Sequence, residues 1–380
     1  PMKITKIDTF LVNLGNRSVP LVKIHTDGGL YGVGEAYSCG PEKATVEVIA
    51  DFESWLIDHD PRDVTRLANW MYVSSRFPPG AVVSAAISGI EQALWDIAGK
   101  DAGLPVYKLL GGKVRDRVRI YRWARGNTPE AIAEHAAWLV KTHGITALKM
   151  GPMPPDYAQL SWIDLLQAAA ARVEAVRRSV GEQVDIGVDP HATIFEPVRA
   201  LEFCDAIAPY RPFFVEEPLR PENFSAMAKL GSKARVPIAT GEMLYNKYQF
   251  RDLLDLQAVD IVQPDICLTG VWETKKIAAL AESAYVNVAP HNPCGPLATA
   301  VNVHFAASTS NFLILETLPD DESPRRDLVD EPMRLVDGYL EIPEKPGWGI
   351  DLNEAGMAKH PFKPWHRRFL RRPDGSQAFQ

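Results

Sequence analysis

Carboxylate and imidazole side chains recur in the second half of the chain, where short apolar segments end. The stretch GVDPHATIFEP, residues 187–197, places Asp189 two positions before His191 at the predicted end of a β-strand. Because residues i and i+2 of a strand point to the same side, the spacing predicts that both side chains enter one pocket. The stretch alone leaves two interpretations: a metal ligand beside a catalytic acid, or a polar turn after a buried strand.

Ionisable residues end the later apolar segments as well. From the third segment onward they stand at positions 189, 216, 242, 265, 291 and 316, at intervals of 23 to 27 residues. The eight segments are residues 118–123, 145–151, 184–191, 212–218, 237–242, 260–266, 286–292 and 312–317. A strand and a helix that repeat about every 25 residues predict a closed parallel barrel. An open doubly wound sheet is the alternative, which the eight regular units and the lack of a glycine-rich phosphate loop disfavour.

The barrel geometry gives these positions a shared location. The carboxyl ends of parallel barrel strands converge on one face, where active sites are found. Glu217 follows Glu216 and points to the other side of its strand, so we assign it a supporting or structural role. The residues expected at the shared face are Lys149, Asp189, His191, Glu216, Glu242, Asp265, His291 and Glu316.

Three acids in this set, Asp189, Glu216 and Glu242, are the candidate metal ligands. Carboxylates on adjacent strands repel one another unless a cation lies between them. Oxygen-only ligands on a rigid frame suit Mg²⁺, which keeps positions open for water and substrate oxygens. Each acid alone is also typical of a salt-bridged strand end, so the prediction depends on all three occurring in register.

An acid and a histidine on neighbouring strands form the second candidate group. Asp265 is expected to fix the tautomer of His291 and to raise its basicity. A hydrogen-bonded structural histidine is the alternative for His291 and for His191. The other histidines follow no strand end and are interpreted as structural or surface residues: His25, His59, His135, His143, His304, His360 and His366.

The chain divides into three predicted parts. Residues 1–115 are predicted to form an α+β domain, with a hairpin turn at Asp27-Gly28-Gly29 and helices over 42–57 and 81–102. Residues 116–335 form the predicted barrel. The tail, residues 336–380, is rich in proline and glycine and is expected to pack back on the first domain.

Composition excludes several functional classes. The 380 residues are 46% hydrophobic and 23% charged, with a net charge of −7 and no basic tract, which argues against nucleic acid or an anionic membrane as partner. No run of 18 apolar residues occurs, and the N-terminus has no apolar leader core, so we predict a cytoplasmic protein. Four widely spaced cysteines are interpreted as reduced thiols: Cys39, Cys204, Cys267 and Cys294.

Longer motifs carry a family resemblance. AISGIEQALWDIAGKDAGLPVYKLLGGKVRDRVRIY, residues 85–121, resembles the hinge between capping domain and barrel in the enolase superfamily. DPH, VEEP, GEM, QPDI and APHNPCGPLATA resemble the strand-end motifs of its mandelate racemase subgroup. Nearly the whole chain is similar to acid-sugar dehydratases of the D-galactonate dehydratase type. The resemblance implies a modified TIM barrel, (β/α)7β, with an N-terminal α+β capping domain completed by the C-terminal tail.

The resemblance also implies a reaction. A base removes the proton α to the carboxylate of a sugar acid, one Mg²⁺ per site stabilises the charge, and the 3-hydroxyl leaves to give a 2-keto-3-deoxy acid. His291 is the expected base and His191 the expected acid. A protonated Glu316, its pKa raised by crowding, is expected to donate to the substrate carboxylate. The expected substrate is an aldonate such as galactonate, gluconate or mannonate, and the expected assembly is a homo-oligomer, from dimer to octamer.

Two further positions bear on specificity. Racemases of the family carry a K-x-K motif on the second strand, and its second lysine is a base. Here Lys149 is followed by Met150 and Gly151, so glycine stands in the place of that lysine, which disfavours a two-base racemase. Lys149 is expected to contact the substrate carboxylate or the metal carboxylates, with a buried ion pair as the alternative. Arg17, in the loop of residues 13–20, is a candidate substrate contact, with an ordinary surface arginine as the alternative. An epimerase, a cycloisomerase and a catalytically silent acid-sugar-binding protein remain as rival functions.

Overall fold

The first part of the chain is an antiparallel sheet covered by helices. A computed structural model describes residues 2–74, 76–366 and 369–379. Its three-stranded sheet has the order β1-β2-β3, with the predicted hairpin turn between β2 and β3. The elements are β1 Ile4–Asn13, β2 Ser18–Thr26, β3 Tyr31–Glu35, α1 Glu42–Leu56, α2 Val64–Val73, α3 Ala81–Ala102 and α4 Val106–Leu109.

Strands and helices then alternate. The elements are β4 Arg117–Ala124, α5 Pro129–His143, β5 Ala147–Met150, α6 Trp162–Val180, β6 Asp185–Val188, α7 Pro197–Ile207, β7 Phe214–Glu216, α8 Phe224–Gly231, β8 Ile238–Thr240, α9 Lys247–Asp255, β9 Ile261–Val262, α10 Ile266–Thr269, α11 Val271–Ser283, β10 Asn287–Val288, α12 Pro296–Ala307 and β11 Leu315–Thr317. The tail adds β12 Leu335–Val336, β13 Tyr339–Glu341 and α13 Glu354–Met357.

The eight strands β4 to β11 close into a barrel. Each strand from β4 to β9 pairs in parallel with the next, a single bridge joins Val288 of β10 to Phe312, and β11 returns to pair in parallel with β4. Helices separate all consecutive strands, so the predicted modified TIM barrel with seven βα units and a final strand is confirmed. Among the described residues, no helix combines the length and apolarity needed to cross a bilayer.

Helix boundaries follow from local sequence signals. Thr128 accepts a hydrogen bond from Ala131 N at the start of α5, and Pro129 occupies the first helical turn. Helix α5 ends at Gly144, whose φ of 62° is left-handed. Inside the barrel, Gly187 leaves room for the ring of Phe214, since a Cβ at this glycine would lie 2.7 Å from the ring.

Two cores result. One lies between the antiparallel sheet and helices α1 to α3, and the larger one lies between the barrel and its helices. Two buried carboxylates of the first domain join them: Glu35 accepts from Ala298 N at 3.1 Å, and Glu91 accepts from Trp272 N at 2.9 Å. Both contacts lie at the starts of barrel helices.

The tail contacts both parts of the chain. Strand β13 pairs antiparallel with β4, which adds a strand outside the barrel. The indole N–H of buried Trp348 donates to Val33 O and Gln92 O, both at 3.1 Å. The Phe379 ring stacks on Phe195 with centroids 5.1 Å apart. The three-part division at residues 115 and 335 stays a prediction.

Candidate active site

A cavity of about 1240 Å³ opens at the carboxyl end of the barrel. Its floor comes from residues at the strand ends, and its rim comes from the first domain, the barrel loops and the tail. Among its lining residues are Arg17, Tyr37, Cys39, Trp123, Arg125, Lys149, Asp189, His191, Arg220, Glu242, His291, Glu316, Trp365 and His366.

Three carboxylates come together on the floor. Oxygens of Asp189, Glu216 and Glu242 all lie within 4.8 Å of one another. Asp189 Oδ1 accepts from His191 N at 2.8 Å, and Gln263 Nε2 donates to Glu216 Oε2 at 2.7 Å. Asp189 Oδ2 and Glu242 Oε2 are buried without a hydrogen-bond partner.

These three side chains fit a hard cation. Burial and the neighbouring acids raise the pKa of Asp189 and of Glu216, because the pocket disfavours adjacent negative charges. Two buried oxygens without hydrogen-bond partners suit a ligand that accepts electron pairs, and carboxylate oxygens are what Mg²⁺ prefers. The residues present therefore match a divalent cation site, with Asp189, Glu216 and Glu242 as its holders.

Lys149 is buried against the same acids. Its Nζ lies 2.6 Å from Glu216 Oε1, 3.2 Å from Glu316 Oε1 and 3.4 Å from Asp189 Oδ2. Burial lowers the pKa of Lys149, but attraction to Glu216 and Glu316 outweighs it and raises the pKa well above its usual value. Lys149 is both an ion-pair partner of strand acids and a lining residue of the cavity. Its contact with a substrate stays a prediction.

Asp265 holds His291 in place. Asp265 Oδ2 lies 2.8 Å from His291 Nδ1, and Asp265 Oδ1 accepts from Cys267 N at 2.8 Å. His291 Nε2 faces the cavity, 3.5 Å from Glu242 Oε2. Burial lowers the pKa of His291, but Glu242 and Asp265 raise it to about 10. The arrangement leaves Nε2 free to exchange a proton with a bound molecule.

His191 reaches the cavity by a route that strand alternation did not predict. Strand β6 ends at Val188, so Asp189 to His191 form a turn and the i, i+2 reasoning does not apply. His191 instead has a left-handed φ of 55° and is 63% exposed at the rim. Its Nε2 lies 3.8 Å from Glu242 Oε1, so the two histidines approach different oxygens of one carboxylate.

The expected protonation of Glu316 is wrong. Burial raises its pKa, but Lys149, His291 and two N–H donors outweigh burial and lower the pKa to about 2. Trp123 Nε1 donates to Oε1 at 2.6 Å and Asn292 N donates to Oε2 at 2.9 Å. The lowered pKa favours an ionised Glu316 that accepts hydrogen bonds, because Lys149, His291 and the two donors outweigh its burial.

Arg17 lines the cavity and is half-buried. Its guanidinium lies over the Trp365 ring, with Cζ 5.4 Å from the ring centroid. Its Nε is buried without a hydrogen-bond partner. Nearby, the Tyr37 ring lies 6.1 Å from the His291 ring, so the first domain approaches the candidate base directly.

Sequence reasoning missed several residues. His366, interpreted from sequence as structural or surface, lines the cavity together with Trp365. Gln263 and Trp123 donate to two of the floor acids. The tail residues could not be predicted to line the cavity, because the prediction used the regular spacing of the barrel strands and the tail lies beyond the last of them. Glu217 is buried and accepts from Gly241 N at 3.2 Å, in agreement with a structural role.

Comparisons with known proteins place the chain in a family. Residues 4–111 match the mandelate racemase/muconate lactonizing enzyme N-terminal domain, and residues 131–356 match the enolase C-terminal domain-like family. D-galactonate dehydratase from Variovorax paradoxus is 34% identical over 99% of this chain and 100% of its own length. The D-galactonate dehydratase from Ralstonia nicotianae is 33% identical over the same shares.

Solved structures of similar proteins match the fold over nearly the whole chain. An enolase from Agrobacterium radiobacter, provisionally assigned as a galactarate dehydratase and bound to Na and L-malate, is 41% identical with a TM-score of 0.95 over the full length of both chains. A provisionally assigned dehydratase from Mesorhizobium loti is 35% identical with a TM-score of 0.89, covering 95% of this chain and 99% of its own. These relatives confirm the resemblance seen in the motifs and the predicted class of enzyme, a carbon–oxygen hydro-lyase. The chain belongs to the mandelate racemase/muconate lactonizing enzyme family of the enolase superfamily.

Proposed function

We propose that the chain is a Mg²⁺-dependent dehydratase that converts a sugar acid to a 2-keto-3-deoxy acid. One observation carries the proposal: His291 and His191 approach the two oxygens of Glu242, at 3.5 Å and 3.8 Å. Only one of them, His291, is held by a buried carboxylate. Two imidazoles with different surroundings suit the two different proton transfers of a dehydration.

His291 is the base of the proposed reaction. Asp265 accepts a hydrogen bond from Nδ1–H, which places the lone pair of the deprotonated imidazole on Nε2. A divalent cation bound to Glu242 would offset the attraction that raises the pKa of His291, and so would favour this deprotonated form. Nε2 takes the proton from C2 of the sugar acid, and Asp265 stabilises the imidazolium that results. A divalent cation held by Asp189, Glu216 and Glu242 would stabilise the negative charge that develops on the substrate carboxylate.

His191 is the acid. Its exposed ring gives up a proton to the 3-hydroxyl, the C3–O bond breaks, and water leaves. The electron pair from the former C2–H bond forms the C2–C3 double bond. The resulting enol loses its O–H proton as C3 takes up a proton, which gives the 2-keto-3-deoxy acid. His191 takes up a proton again from solvent, which its rim position allows, and His291 releases the proton that it took from C2.

Lys149 and Glu316 support the binding of the acid group. The cationic Lys149, next to Glu316, provides positive charge at the place proposed for the carboxylate of the substrate. Glu316, fixed by Trp123 and Asn292, contacts Lys149 Nζ at 3.2 Å and helps to hold it at the floor of the cavity. The names of the relatives support a sugar acid as substrate, and they include both an aldonate and an aldarate. A cytoplasmic location and homo-oligomeric assembly remain predictions.

The test is a screen of C5 and C6 aldonic and aldaric acids with Mg²⁺. Formation of 2-keto-3-deoxy acid is followed by its semicarbazone, with His191→Asn assayed in parallel. We expect product from at least one acid, and a loss of about 10²-fold or more in kcat for the variant. If no acid gives product, while C2–H exchange with D₂O survives in His191→Asn, the chain is an epimerase or a cycloisomerase instead.

A further inference from the structure

Charge is distributed unevenly over the cavity. Of the described lining residues, the acids are Asp189, Glu242 and Glu316, and all three lie on the floor. The rim, by contrast, has no carboxylate among the described residues that line it. The rim side chains that can carry a positive charge are Arg17, Arg125, Arg172, Arg220, His191 and His366.

Two of the four rim arginines already have partners. Arg220 pairs with Glu222, with Nε 2.8 Å from Oε1. Arg172 donates to Gly126 O at 2.8 Å and to Asn127 O at 3.0 Å, which ties it to the loop after β4. Neither is free to bind a substrate without losing these contacts.

Arg17 differs from these two and from the exposed Arg125, since it is half-buried next to Tyr37. No carboxylate of the described residues forms an ion pair with it, and its Nε is buried without a hydrogen-bond partner. Contact with the Trp365 ring holds the guanidinium at the rim. A half-buried guanidinium without a direct ion pair loses hydration that no carboxylate contact replaces, so an anionic ligand that pairs with it lowers its free energy.

The location of Arg17 suits the far end of a substrate. The floor carboxylates and Lys149 mark the place of the reacting acid group. Arg17 lies on the first domain next to Tyr37, on the His291 side of the cavity. An acid that extends from the floor past His291 is therefore directed toward the Arg17 guanidinium.

We propose that the preferred substrates are aldaric acids, whose second carboxylate is bound by Arg17. The inference rests on the proposed dehydration and narrows its substrate class. An aldonate ends in a neutral CH₂OH group, which would leave the guanidinium without an anion. A planar guanidinium binds a carboxylate through two parallel N–H···O bonds, which gives both charge and geometric selection.

The first experiment compares kcat/KM for galactarate and glucarate with kcat/KM for galactonate and gluconate. We expect an aldarate to be preferred by at least tenfold. Arg17→Met, which keeps a similar length without charge, is expected to lower kcat/KM for the aldarate about 10²-fold and for the aldonate only a few-fold. Arg66→Met, which removes an exposed arginine from α2 of the same domain, is the charge-matched control.

A second experiment measures binding without turnover. In a His291→Asn background, calorimetric titration with galactarate and galactonate separates affinity from chemistry. We expect galactarate to bind more tightly, and Arg17→Met added to this background to remove the difference. Arg17→Lys is expected to restore part of it, since an ammonium provides charge but not the two parallel bonds.

The outcomes separate the two claims. Two results would overturn the aldarate inference and leave the dehydratase proposal intact. One is a higher kcat/KM for aldonates than for aldarates, and the other is an equal loss of kcat/KM for both acids in Arg17→Met. Lack of product from every acid overturns the proposed dehydration. In that case, tighter binding of galactarate than of galactonate that depends on Arg17 still supports a dicarboxylate ligand. Equal affinity for the two acids overturns the dicarboxylate ligand as well.

Discussion

At the scale of single residues, Glu242 connects the candidate metal site to both histidines. One of its oxygens faces each imidazole, so a change in its charge acts on both. The positions of the acids and of His291 were predictable, because the register of a parallel barrel fixes where strand ends meet. The left-handed turn at His191 and the ionised state of Glu316 were not, since both depend on contacts between distant segments.

Asp265→Asn is expected to lower kcat about 10²-fold or more, because the amide no longer holds His291 with its lone pair on Nε2. Asp265 also raises the pKa of His291. A base must be deprotonated to act, so activity rises with pH through its pKa. Loss of Asp265 lowers that pKa, and the rising limb of kcat/KM against pH should move to lower pH.

The control for this change is Asp260→Asn. Asp260 Oδ2 accepts from Ile238 N outside the cavity, at 2.9 Å, so its loss should leave the rising limb in place. A limb that stays at the same pH in Asp265→Asn would contradict the assignment of His291 as the oriented base.

At the scale of elements, two carboxylates of the first domain cap barrel helices that follow candidate site residues. Glu35 caps α12, which begins soon after His291, and Glu91 caps α11, which follows Asp265 by way of α10. The strands and helices themselves were predictable from apolar spacing and from cap residues. The two caps were not, because Glu35 and Gly295 stand 260 positions apart and no local pattern relates them.

Glu35→Ala is expected to destabilise the protein by about 2 kcal/mol, because two buried N–H groups lose their acceptor. Urea unfolding followed by circular dichroism measures this. We also expect kcat to fall more than KM rises, since the loop that carries His291 loses its anchor. Glu47→Ala, an exposed acid in α1, should change the free energy of unfolding by less than about 0.5 kcal/mol. Equal stabilities of the two variants would show that the cap contributes little.

At the scale of the whole molecule, His304 joins the barrel to the other two parts of the chain. Its Nδ1 accepts from Tyr107 N at 3.1 Å, and its Nε2 lies 2.9 Å from Trp348 O. The barrel and its capping domain were predictable, since the repeat and the hinge motif are continuous in sequence. The pairing of β13 with β4 was not, because this short strand has no periodic signal of its own.

Burial lowers the pKa of His304 to about 4, from a usual value of 6.5. The unfolded chain therefore binds more protons than the folded one as the pH falls below 6.5. The stability contributed by neutral His304 is complete above pH 6.5 and is lost as the pH falls toward 4. Between pH 7.5 and pH 5 this loss is on the order of 2 kcal/mol.

His304→Gln tests the contribution of this residue, since an amide does not titrate. The variant should be less stable at pH 7.5 but should lose less of its free energy of unfolding on transfer to pH 5. The same loss in both proteins would assign the acid sensitivity to other groups.

The central claim is that one divalent cation lies between Asp189, Glu216 and Glu242 and faces both histidines. Anomalous diffraction from crystals soaked with Mn²⁺, recorded near the manganese edge, tests it most directly. We expect one peak per chain, within about 2.0–2.3 Å of an oxygen from each of the three carboxylates. A peak elsewhere, or a fully occupied ion that misses any one of the three, would contradict the claim.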